Sequence, residues 1–178
     1  MNTIPDSYVS YLVEFHATRD YFECHELLEE YWKEHPNDGM SAIWVGLIQL
    51  AVGLYHERRG NRKGALMMLE QSRLRLAGSD LLPLGLSREP LIGLIDGRLN
   101  GLAEQSNAHP YVDMDLPIAS EALARLCEEE CARRGVRWGE PSPLSNEALI
   151  HRHKLRDRSE VIQAREISLQ AKEKERRG

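Results

Sequence analysis

Residues that favour sheet are scarce in this chain. Threonine occurs only twice, phenylalanine twice, and all aromatics together make 6 % of the 178 residues. Leu, Glu, Ala and Arg dominate instead, which favours helix over strand. Only three cysteines are present, Cys24, Cys127 and Cys131, too few for a disulfide framework. Their expected role is that of core thiols. The longest apolar stretch, Ala42 to Tyr55, is 14 residues, short of the roughly 20 a membrane-spanning helix needs. The N-terminus has no basic region and no small-residue cleavage site, so no signal peptide is expected and a cytoplasmic address follows. Positive charge is short in the body. Residues 1–150 carry 14 Lys/Arg against 23 Asp/Glu, and residues 151–178 carry 9 against 5. An acidic body argues against nucleic acid as a partner.

Helix punctuation is plain. Pro5-Asp6-Ser7 opens a first helix with Tyr8, Tyr11, Leu12 and Phe15 on one face, and Thr18-Arg19-Asp20 breaks it. Asp20 has the character of an N-cap, with Glu23 three residues on, for a second helix over 21–34. His35-Pro36-Asn37-Asp38-Gly39 stops it. The third segment, AIWVGLIQLAVGLY, is apolar all round, as expected of a buried core helix. Gly46 and Gly53 in it suit close approach of neighbouring helices. Gly60 fits the end of this helix and Asn61 the cap of a fourth, over 62–77, with Ala65, Leu66, Leu69, Leu74 and Leu76 as core positions. Ser87 caps a fifth, carrying Leu91, Ile92, Leu94, Ile95, Leu99 and Leu102. A sixth spans 118–134 and stops at Gly135. The expected fold is all-α: a helical bundle with one buried central helix surrounded by about five others, plus a C-terminal helical extension. The domains expected are a bundle over 1–137 and a linker with a charged helical tail over 138–178. The tail repeats Leu155, Ile162 and Leu169 every seven residues, a thin stripe that could dock on the body, dock on a second copy to give a homodimer through the C-terminal helix, or project freely.

Chemistry concentrates on the second and third helices. His25, Glu29 and Trp32 lie one turn apart on one face, and an imidazole and carboxylate at i and i+4 can hydrogen-bond or jointly hold a cation. Gln49 is the one strongly polar side chain within the apolar run, and His56 lies seven residues on. A buried amide needs a partner. If helices two and three pack antiparallel, as the short turn favours, His25, Glu26 or Glu29 should supply it. The candidate metal ligands are therefore His25, Glu29, Glu26 and His56, with Gln49, Trp32 and Asn61 as further binding residues. The mixed nitrogen and oxygen set suits zinc, manganese or iron better than calcium. Two functions fit. One is a metal-assisted or acid–base enzyme such as a hydrolase. The other is a non-catalytic binding or scaffold protein in which the same residues form a buried hydrogen-bond network. His-Glu-x-x-Glu lacks the second histidine of the zinc-protease motif and does not support a protease.

The strings Phe22-Glu23-x-His25-Glu26-x-x-Glu29-x-x-Trp32, Gly46-Leu47-Ile48-Gln49-x-Ala51 and His56-x-x-x-Gly60-Asn61-x-x-Gly64-Ala65 resemble the bacterial and archaeal family known as domain of unknown function 309. The resemblance covers about residues 8–77. It implies a small bundle around one central helix, and a His-x-x-x-Glu-x-x-Trp signature, suspected of metal binding, at His25, Glu29 and Trp32. Residues 120–178 extend past it, so the tail is expected to be particular to this chain.

Overall fold

A computed structural model describes residues 3–104, 110–152 and, in the tail, 170, 172, 173 and 176. The chain forms two compact units, Met1–Ser142 and Pro143–Gly178. Seven α-helices are present among the described residues: α1 Asp6–Val13, α2 Tyr21–Glu34, α3 Ser41–Arg58, α4 Arg62–Ala77, α5 Arg88–Ala103, α6 Glu121–Arg134 and, in the second unit, α7 Glu147–Ile150. No strand occurs among those residues; Leu86 and Ile118 make one isolated antiparallel bridge. The fold is the expected all-α bundle.

α3 is the central element. Ile43, Trp44, Leu47, Leu50, Ala51, Leu54 and Tyr55 are all buried, and α3 packs against α2 on one side and α4 on the other. Its glycines permit this. A Cβ at Gly46 would lie 2.8 Å from Leu76 Cδ2, and one at Gly53 would lie 2.8 Å from Leu69 Cδ2. Ser72 on α4 donates to the Gly46 carbonyl at 2.7 Å. Tyr11 on α1 donates to the Leu47 carbonyl at 2.8 Å, so the core tyrosines bury their rings and still satisfy their hydroxyls.

The caps follow the sequence. Asp20 accepts from the Glu23 amide at 3.1 Å and Asn61 from the Gly64 amide at 3.0 Å. In the turn between α2 and α3, Asp38 accepts from the Met40 amide at 2.8 Å and from Trp44 Nε1 at 2.7 Å. Three details differ from expectation. α1 does not stop at a simple break: a π-helical turn, Glu14–Thr18, continues it, and Arg19 then takes a left-handed conformation with φ 56°. Leu74, expected in the core, is 74 % exposed, and Leu94 is 41 % exposed. Each lies on the outer face of its helix, where periodicity alone does not tell the bundle side from the solvent side. α6 begins at Glu121 rather than 118, because the preceding segment runs back along Gly85–Ser87 in extended form. The first compact unit runs through Ser142, five residues past the expected boundary at 137. Leu155, Ile162 and Leu169 lie outside the described residues.

Candidate functional site

The i, i+4 geometry on α2 brings His25 and Glu29 together as expected. His25 Nε2 lies 2.7 Å from Glu29 Oε2, and Lys33 Nζ lies 2.7 Å from Oε1. Both carboxylate oxygens are thus taken. The Lys33 hydrogen bond, with the bond from His25 beside it, holds Glu29 below the usual carboxylate range despite its partial burial. The Phe22 ring flanks His25, and His25 Nδ1 is buried without a hydrogen-bond partner. Glu26 is half-buried on the same helix. Trp32 points elsewhere: its Nε1 donates to Ser41 Oγ at 2.7 Å, fastening the end of α2 to the start of α3.

Gln49 does not join this group. Its amide nitrogen donates to Gln71 Oε1 on α4 at 2.9 Å, and its own oxygen has no partner. The expected meeting of Gln49 with α2 is therefore corrected. α3 has a helix on each side, and Gln49 faces the gap toward α4. His56 Nδ1 lies 3.2 Å from Arg59 Nε and 3.3 Å from Asn61 Nδ2. Asn61 both caps α4 and touches His56. A Cβ at Gly64 would lie 2.6 Å from the Asn61 amide nitrogen and 3.0 Å from His56 Cγ. The His56…Gly60-Asn61…Gly64 string is thus a packed corner joining α3 to α4. Among the described residues, no group of three or more His, Cys, Asp or Glu is placed to hold a metal ion.

The most connected buried polar cluster was not foreseen from the sequence. His16 and Arg19 are 1 % and 2 % exposed. The Leu116 amide donates to His16 Nε2 at 2.9 Å, so Nδ1 carries the proton and donates to the Leu12 carbonyl at 2.8 Å. Burial drives the His16 pKa down to about 4. Trp138 stacks on this ring at 4.2 Å, and the Gly139 amide donates to the His16 carbonyl at 2.9 Å. Arg19 donates to the carbonyls of Met114 at 3.0 Å and Glu140 at 2.9 Å, and pairs with Asp115 at 3.0 Å. Tyr21 and Tyr111 share a 2.6 Å hydroxyl contact, and Tyr111 donates to Asp113 at 2.7 Å. Asp113 also accepts from the Ser142 amide at 2.7 Å. Burial pushes Asp113 up, but its bonds from Ser142 and Tyr111 and the charge of Arg19 outweigh this and hold it below its ordinary range. Arg58 donates to the Arg19 carbonyl at 2.6 Å and sits 4.5 Å over the Tyr21 ring. Together these groups clasp residues 111–118 and 138–142 onto the start of α2. The one signal in the sequence was the polar run Thr18-Arg19-Asp20 between the first two helices.

These features place the chain among small helical bundles whose first helices carry the His25–Glu29–Trp32 and His56–Asn61 strings. It belongs to the DUF309 family, a domain of unknown function, whose family model matches residues 8–68. It is 45 % identical over 175 residues to YpuF of Bacillus subtilis, an uncharacterized protein, covering 97 % of this chain and 98 % of that one. It is 32 % identical over 60 residues to an uncharacterized protein of Aquifex aeolicus, covering 34 % of this chain and 18 % of the other. No solved structure matches the chain. The Bacillus alignment extends over nearly the whole length, so the tail is not particular to this chain, contrary to expectation. No described helix is long and apolar enough to cross a membrane.

Proposed function

We propose that this protein is a non-catalytic helical binding or scaffold protein, in which the polar residues of the family strings hold helices in register. The observation that carries this reading is the dispersal of those residues into separate pairings. Glu29 is taken by His25 and Lys33, Gln49 by Gln71, and His56 Nδ1 by Asn61 and Arg59. Partly exposed polar groups paired in this way fix which helices meet. A cytoplasmic address accompanies the proposal, supported by three free, buried thiols. So does a homodimer through the C-terminal helix.

One observation favours a second reading, a metal-assisted hydrolase. With Glu29 accepting from His25 Nε2, the unpartnered Nδ1 has a free lone pair. A carboxylate behind an imidazole is the usual outer partner of a metal-bound histidine. Zinc, manganese or iron would then sit at Nδ1, with Glu26 or His56 as further ligands. Elemental analysis of protein purified without chelator, with melting temperatures measured after adding each metal, separates the two. The scaffold reading expects substoichiometric metal and an unchanged melting temperature. About one equivalent of a metal, lost in His25→Ala with helix content intact, would overturn it.

A further inference from the structure

A cleft of about 400 Å³ opens where the α3–α4 corner meets α5, with Gly60, Arg62, Arg98, Gly101 and Tyr111 among its walls. That volume is within the range of small-molecule sites, roughly 300–1,000 Å³. We propose that this cleft binds a small molecule bearing an oxyanion, phosphate or carboxylate, with Arg62 as its principal contact. The inference rests on the binding-protein reading above and gives it a ligand class.

Charge is the first argument. The protein is net −5, yet Arg58 to Lys63 holds four cations and no acid, and of these Arg62 lines the cleft. α4 has no acidic residue in its first turn, and Arg62 and Lys63 stand there instead. Cations at that end oppose the helix dipole, which favours an anion. Arg62 spends one donor on the Glu104 carbonyl at 3.0 Å and has no ion-pair partner among the described residues. Arg98 is fixed differently. It pairs with Glu57 at 2.8 Å and lies 5.7 Å over the Tyr111 ring. It thus forms a wall, and Arg62 stays free to turn to a ligand. Glu104 also lines the cleft, and a carboxylate there opposes an anion.

Space is the second argument. Gly97, in the interior of α5, and Gly101, in its last turn, line the cleft, and a Cβ at either would meet nothing within 4 Å. Interior glycine costs a helix about 1 kcal/mol relative to alanine. The fold of this chain does not require it at these two positions, unlike at Gly46 or Gly53. Bare backbone here leaves the floor of the cleft open.

Titration calorimetry on the full chain tests this, with inorganic phosphate, pyrophosphate and citrate as probes at ionic strength held constant with sodium chloride. Saturable one-to-one binding of at least one probe is expected, and the preferred probe identifies the oxyanion. Arg62→Glu should weaken it at least ~10-fold, about 1.4 kcal/mol. Gly101→Leu, which fills the cleft from an open position, should abolish it with far-UV circular dichroism unchanged. If Gly101→Leu unfolds, the exposed Arg62→Glu decides alone. Absence of binding by all three probes, or binding that Arg62→Glu leaves unchanged, overturns the proposal. Neither result bears on the scaffold reading, which falls only on metal held through His25.

Discussion

Acidification should loosen the clasp through His16. In the folded chain this ring is neutral: Nε2 accepts from the Leu116 amide and Nδ1 donates to the Leu12 carbonyl. A proton on Nε2 would remove the acceptor and bury a charge stacked on Trp138. The folded pKa of about 4 lies below the unfolded value of 6.5. Between these values the unfolded chain binds the proton and the folded chain does not, so stability is full above pH 6.5 and falls as pH drops toward 4. At 1.36 kcal/mol per pH unit, the gap is worth about 3 kcal/mol. Urea unfolding followed by circular dichroism at pH 7, 6, 5 and 4.2, for the natural chain and His16→Gln, isolates this contribution. The glutamine oxygen can still accept from Leu116. It loses the Leu12 bond and the stack, so the variant should be about 1–2 kcal/mol weaker at pH 7. Carboxylates held low in both chains, Asp113 and Glu29, cancel in the difference. That difference should shrink and then reverse by pH 4.2. A constant difference across the range would refute the assigned role of His16.

Two other outcomes follow from the geometry. Gly46→Ala and Gly53→Ala should each lower stability by about 1–3 kcal/mol through overpacking against Leu76 and Leu69, whereas Gly97→Ala should raise it by up to ~1 kcal/mol; thermal unfolding of the three variants checks the opposite signs. A chain ending at Ser142 should keep the denaturant midpoint of the full protein. One ending at Arg137 should lose about 2–4 kcal/mol, because it drops the Trp138 stack and the bonds made by Gly139, Glu140 and Ser142; equal midpoints would place residues 138–142 outside the bundle after all.

What the sequence determined by itself is local or periodic. The bounds of α2 and α4, the Asp20 and Asn61 caps, the central position of α3 and the contact between His25 and Glu29 depend on spacings of at most four residues or on an all-apolar run. Helix geometry alone sets these. Tertiary structure decided which neighbour each polar side chain meets. Gln49 faces α4 rather than α2 because α3 is sandwiched, and a single sequence states that a partner is needed but not on which side. Leu74 carries an apolar side chain at a helical spacing and still faces solvent. The clasp was the least legible part. His16 meets Leu116 and Arg19 meets Glu140 across 100 and 121 residues, and no periodicity links such positions. They converge where a left-handed Arg19 turns its guanidinium to the carbonyls of Met114 and Glu140, which lie in segments on either side of α6.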